Sequence, residues 1–215
     1  VRKFQSLKRN VSIRSPKKKF IIFTEGKNTE PTYFKALKGS LKGAIVDIEI
    51  IDAAGVPKTI ADKASERSKK IGPKKSLSSF EENDEIWAVF DKDEHPYVTE
   101  AIQKCESTKV GVAFSNPCFE LWLILHFEDF DKPDHRHDVQ KHLEKLCTDY
   151  DRNARKTTDC VKLVSVIEEA EKRAEIQLKR RIAEGEPPSE PYTTVFKLTR
   201  SMRMADQANE KPPQA

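Results

Sequence analysis

The chain has 215 residues, 34% charged and 37% hydrophobic, with a formal net charge of +4, enough for one ordinary domain, or a domain plus an appendage, with a real buried core. No window approaches the ~20 consecutive apolar residues of a membrane-spanning helix, and the basic N-terminus lacks the apolar stretch of a secretory signal. The four cysteines show no C-x-x-C spacing, so they read as reduced thiols of a cytoplasmic protein rather than as disulfides or zinc ligands.

The charge is uneven. Residues 1–19 carry Arg2, Lys3, Lys8, Arg9, Arg14, Lys17, Lys18 and Lys19 and no carboxylate, so the rest of the chain sums to −4. A basic arm on a mildly acidic body suits a polyanion such as nucleic acid; a solvated leader is the plainer reading of the same residues.

Phe20 to Phe23 is a short apolar run and reads as a buried strand. It ends in "TEGKNTEP", where Gly26 offers a turn, Asn28 or Thr29 a helix cap, and Pro31 a first-turn residue whose missing N–H costs nothing. Tyr33, Phe34 and Leu37 give that helix one apolar face. Ala44 to Ile51 alternates like a strand, "AAGVPKT" is a turn, and Ile60, Ala64 and Ile71 mark a thin helical stripe. Glu85 to Phe90 is a strongly apolar strand, Tyr97 to Cys105 a short helix, and Val110 to Phe114 another strand. "SNP" then starts a helix with Asn116 as N-cap and Pro117 at its first position, followed by an apolar run from Phe119 to Phe127.

Strand and helix thus alternate four times, which predicts an α/β fold with a mainly parallel four-stranded sheet flanked by helices. Function in such sheets gathers at the carboxyl ends of the strands, where strand order reverses. Glu25 follows the first strand, Asp91 and Asp93 the third, Asn116 and Glu120 the fourth. If the first and third strands are neighbours, these groups share one edge.

Beyond Phe130 the character changes. "DKPDHRHD" leads into a helix from about Val139 to Tyr150. A second helix, from about Cys160 to Ala183, carries Leu163, Val166, Ile167, Ala170, Ala174, Leu178 and Ile182 on one stripe. "TTVFKLTRSMR" is a last short helix or strand. The expected division is a basic flexible arm (1–18), a catalytic α/β domain (19–130), a helical extension (131–204) and a disordered tail (205–215).

Asp91 and Asp93 alternate along an extended segment, so both face one way, and their oxygens can converge on a hard cation. Mg²⁺ is commonly held by one or two carboxylates plus substrate phosphate. Glu25 supplies a third carboxylate, or acts as general base or acid. A helix-terminal role for Glu25 and a solvated cap formed by Asp93 and Glu94 are the structural alternatives. His95 adjoins the pair and could donate a proton or contact phosphate; Glu120 is a fourth ligand or braces Asn116; Lys27 reaches for phosphate or is solvated. His135, His137 and His142 lack a cysteine partner at metal spacing. Trp87, Phe90, Trp122 and Phe127 read as core.

"FIIFTEGKNTEPTYF" with the later "IWAVFDKDEH" resembles the Toprim fold of topoisomerases, primases and related nucleases, and "SNPCFELWLILHF" is similar to the RloB-like proteins. The resemblance covers Lys19 to about Phe130 well and the rest more loosely. It carries over Glu25, Gly26, Asp91 and Asp93 from Toprim, and Glu30, His95, Asn116, Pro117 and Glu120 from the RloB-like pattern. Pro96 stands where many Toprim domains have a glycine, and so short a chain has no active-site tyrosine module, so hydrolysis fits better than strand passage. The resemblance implies a nuclease using Mg²⁺ or Mn²⁺ at Glu25, Asp91, Asp93 and Glu120. His95 would assist catalysis, and Gly26, Lys27, Asn28, Glu30 and Asn116 would meet the nucleic acid. It also implies a phage-defence setting beside an ATPase partner. A non-catalytic sensor or adaptor is the alternative, nucleotidyl transfer a third reading, and homo-oligomerisation stays open.

Overall fold

The computed structural model describes residues 17–50, 56–70, 84–92, 97–153, 158–185 and 187–210. In chain order the elements are β1 (Lys19–Thr24), α1 (Thr29–Ser40), β2 (Ile45–Ile50), α2 (Pro57–Lys70), β3 (Glu85–Asp91), α3 (Val98–Ser107) and β4 (Gly111–Asn116). Then follow α4 (Glu120–Ile124), α5 (Arg136–Leu146), α6 (Cys160–Val164), α7 (Ile167–Glu184), β5 (Tyr192–Thr193) and α8 (Val195–Glu210).

The sheet order is β2-β1-β3-β4-β5. The first four strands run parallel, and the two-residue β5 pairs antiparallel with the end of β4. Alternation along each buried strand sends side chains to two cores. Phe20, Ile22, Val89 and Ala113 face α1 and the C-terminal helices, whereas Ile21, Phe23, Ile86, Ala88, Phe90 and Phe114 face α2 and α3. Helices therefore cover both faces, as the alternation predicts. Gly111 has no room for a side chain, because a Cβ there would come within 2.6 Å of the Trp87 ring.

The first core continues through Val139, Leu143, Tyr150, Leu163, Ala170, Ala174 and Met202, so residues 131–204 are packed into the same hydrophobic body as the sheet. Glu171, buried on α7, accepts hydrogen bonds from Thr199 and Arg203 of α8. Arg181 near the end of α7 reaches the backbone oxygens of Asp131 and Pro191. All four cysteines are buried free thiols. His126 is buried between Tyr33, whose hydroxyl lies 3.0 Å from Nε2, and the Trp122 carbonyl, 2.9 Å from Nδ1. Burial lowers its pKa to about 4.

Four local expectations are corrected. Asn116 is the last residue of β4, opposite Tyr192, rather than a helix N-cap, and α4 starts only at Glu120; pairing with β5 extends the strand past Phe114. The helix expected from Cys160 to Ala183 breaks at Ser165–Val166 into α6 and α7, which leaves Val166 and Ile182 more than 40% exposed. Phe127 is 39% exposed, since the helical run stops short of it, and is not a core residue. Residues 205–210, expected in a disordered tail, continue α8, where Asp206 accepts from the backbone N–H groups of Lys42 and Gly43. The basic arm up to residue 16 and residues 211–215 lie outside the described residues.

Candidate active site

The order β2-β1-β3-β4 means the chain steps from β1 to one side and then returns to the other, so strand order reverses between β1 and β3. The helices that follow them, α1 and α3, pack on opposite faces of the sheet, the arrangement that opens a crevice at such a reversal. The register Thr24↔Val89 brings the residues just beyond, Glu25 and Asp91, to the same edge. The Asp91 backbone N–H donates to Glu25 Oε2 at 3.4 Å, a long hydrogen bond. Asp91 is only 9% exposed. On its far side Lys92 N–H donates to the Ser115 carbonyl, tying the end of β3 to β4.

A cleft of about 180 Å³ opens at this edge, lined by Glu25, Gly26, Lys27, Asn28, Thr29, Glu30, Asp91, Phe119, Glu120 and Arg136. Glu30 sits in the first turn of α1, where a carboxylate is favoured by the helix dipole. It is buried, and its carboxyl group packs on the Cα of Gly26. Gly26 does not have the left-handed φ that favours glycine; the close approach of Glu30 is what leaves no room for a Cβ. Asn28 stands at the N-cap position of α1 without a side-chain cap bond, and its backbone oxygen accepts from Thr32.

Glu120 is almost fully buried. Its Oε1 accepts from the Tyr150 hydroxyl at 2.7 Å and from Gln140 Nε2 at 3.3 Å. Burial and the neighbouring Glu120 carboxylate push the Tyr150 phenol well above its usual range, so it stays a donor. Cys118, just before α4, is likewise raised, by burial first and then by Glu120 and Asp91. It remains a neutral thiol, leaving carboxylate oxygens as the donors of the cleft. Four carboxylates here stand beside two cations, Lys27 and Arg136.

Glu25, Gly26, Lys27, Asn28, Glu30, Asp91 and Glu120 are therefore brought together as the sequence predicts. Asn116 is buried at the end of the neighbouring strand but does not line the cleft. By alternation it shares the α2–α3 face with Phe114, whereas Asp91 shares the other face with Val89. Asp93 and His95 lie outside the described residues. Among the described residues no group of three histidine, cysteine or acidic side chains is gathered closely enough to hold a metal; His142 instead contacts Glu128 at 2.7 Å. Sequence reasoning missed Arg136 and the Tyr150–Gln140 brace. Their only local signal was polar residues in and after "DKPDHRHD", which resemble any solvated linker.

A larger groove of about 920 Å³ runs between α1, the α6–α7 junction and α8. It is mainly apolar and holds no comparable convergence of acidic groups at strand ends, so the chemistry concentrates in the smaller cleft.

A family model described as RloB-like protein matches residues 20–202, a span that takes in both the sheet and the C-terminal helices. No curated protein matches the chain.

Proposed function

The chain belongs to the RloB-like protein family, and from that premise we propose that it is a metal-dependent nuclease hydrolysing phosphodiester bonds of RNA or DNA in bacterial anti-phage defence. The observation that carries the proposal is the meeting of Glu25 and Asp91 at the ends of adjacent parallel strands, at the reversal of strand order, inside a cleft with charged walls. The Toprim-like reading, the ATPase partner and the defence setting come with the family resemblance and belong to the same proposal.

The donor chemistry fits a hard divalent cation. Glu25, Glu30, Asp91 and Glu120 line the cleft and no cysteine does, and such a set suits Mg²⁺ or Mn²⁺ over a softer ion. In this reading Glu25 and Asp91 would hold the ion with Asp93, and Glu120, oriented by Tyr150 and Gln140, would be the fourth carboxylate. The ion, when bound, supplies Lewis acidity at a phosphate oxygen. The chain's residues supply the rest. A carboxylate of the cleft takes the proton of the attacking water as its oxygen bonds to phosphorus, and His95 returns a proton to the oxygen that leaves. Exposed Lys27 meets the incoming backbone, which positions a strand without reading its sequence.

The test is a titration of Mg²⁺ or Mn²⁺ against labelled tRNA, single-stranded DNA and plasmid, with wild type and Asp91→Ala side by side. Wild type is expected to cleave at least one substrate, and Asp91→Ala to be slower by at least about 100-fold. A wild type that binds nucleic acid yet cleaves none of the three would favour the adaptor reading. Incorporation of labelled nucleotide would favour nucleotidyl transfer.

A further inference from the structure

We propose that Arg136 is the phosphate-gripping residue of the carboxylate cleft, contributed by the C-terminal helices to a site whose acids come from the sheet. The inference rests on the nuclease reading above and adds to it the group that makes an acidic cleft habitable for a polyanion.

Arg136 is the first residue of α5, half-buried, and lines the cleft with Glu25, Asp91 and Glu120. Gln140 lies four residues on, hence on the same helix face, and it donates to Glu120 Oε1. The helix that orients the buried carboxylate therefore also aims the guanidinium. The mount is rigid, since Val139 and Leu143 of α5 are fully buried.

A cleft of four carboxylates repels a phosphodiester, and the proposed cation offsets only part of that charge. Arginine never loses its proton, and its planar fork matches two phosphate oxygens at once. Lys27, the other cation here, is an exposed loop residue and a point charge, better suited to steering than to gripping. If Arg136 served only as an ion-pair partner for the cleft acids, its removal would alter stability or metal affinity while leaving the number of phosphate contacts unchanged.

That difference is measurable without turnover. Fluorescence anisotropy with a short fluorescein-labelled single-stranded RNA and its DNA counterpart, in Ca²⁺ in place of Mg²⁺, gives Kd as a function of KCl. The proteins are wild type, Arg136→Ala, Arg136→Lys and, as a remote control, Lys162→Ala, an exposed side chain of α6. Arg136→Ala is expected to raise Kd about tenfold or more and to reduce the slope of log K against log salt by about 0.7, one single-strand phosphate contact. Arg136→Lys is expected to recover the slope but only part of the affinity, which keeps the test decisive should the alanine variant fold poorly. Lys162→Ala is expected to match wild type. A wild-type slope in both Arg136 variants, with wild-type cleavage intact, overturns the assignment of Arg136 alone. No binding by wild type to either oligonucleotide, with no cleavage in Mg²⁺ or Mn²⁺, overturns the nuclease reading and this inference with it.

Discussion

Replacing Gly26 by alanine separates the fold from the site. The added Cβ would overlap Glu30 Oε2 outright and stand 2.8 Å from Glu30 Cδ and 2.9 Å from Oε1, against the 3.5–4.0 Å of ordinary carbon contacts. The Glu30 carboxyl group must move by about 1 Å, and as the end of a flexible side chain it can. Leaving a preferred rotamer costs about 0.5–1.5 kcal/mol. Because φ at Gly26 lies outside the left-handed region, alanine recovers about 0.4–1 kcal/mol by restricting the unfolded chain. Net stability should stay within about 1 kcal/mol of wild type, and Tm within about 4 °C. Cleavage should fall by up to about 100-fold, the scale of a 1 Å misplacement in a catalytic site. Thermal melting and initial rates in Mn²⁺ give both numbers. Shortening the acid in the same background, Gly26→Ala/Glu30→Asp, should restore part of the rate, a non-additivity expected only of residues in contact. Full activity in Gly26→Ala would show that the position of Glu30 does not matter. A Tm loss beyond about 10 °C would show that the backbone, not the carboxylate, yields to the methyl group.

Tyr150→Phe removes the 2.7 Å hydrogen bond to buried Glu120 and should cost about 1.5–3 kcal/mol, read as a lower urea midpoint at unchanged m. Burial lowers the folded pKa of His126 from the ordinary 6.5 to about 4. The unfolded chain therefore binds the extra proton first, and stability present above pH 6.5 drains away as pH falls toward 4, on the order of 3 kcal/mol in all. Urea unfolding at pH 7 and pH 4.5 should show the stability gap between wild type and His126→Gln narrowing at the lower pH; a constant gap would contradict the buried neutral imidazole. Glu171, with 3% side-chain exposure, accepts hydrogen bonds from Thr199 and Arg203, so Glu171→Ala should cost about 1.5–3 kcal/mol by removing buried charge-assisted hydrogen bonds. Glu168, 61% exposed and also paired with Arg203, should cost no more than about 1 kcal/mol when replaced by alanine. Equal losses from the two would mean that burial does not set the strength of the α7–α8 link.

The parts of the fold legible in the sequence were those whose physics is local. "FIIF", "IWAVF" and "VAF" are strands because apolar runs that short can be buried on both faces only in a covered parallel sheet. That β1 and β3 are neighbours was only a condition in that reading, and the sheet order supplies it. The misread parts depend on distant partners. Asn116 looks like a helix cap until Tyr192 arrives to pair with it. The tail looks disordered until Asp206 finds the backbone N–H groups of Lys42 and Gly43. Gly26 looks like a turn glycine, but its reason is the Glu30 carboxylate folded back over it. Arg136 was invisible for the same cause: nothing in "DKPDHRHD" says that its helix will end against strand-end acids.

That helix also changes what the C-terminal half is for. Were residues 131–204 only a support, their contacts with the sheet would be apolar and remote from the cleft. Instead Gln140 and Tyr150 converge on one oxygen of Glu120, and Arg136 shares the cleft with Asp91. Tyr150 itself belongs to the core that contains Tyr33, Phe119 and Trp122. Packing energy from the extension is thus coupled to the orientation of a buried carboxylate through a hydroxyl that burial keeps protonated. A perturbation that loosens α5 must also release Glu120 and Arg136, one acid and one cation at once. Loss of function on disturbing this helix should therefore precede global unfolding, and the family match running to residue 202 has a physical counterpart in a site that half the chain could not complete.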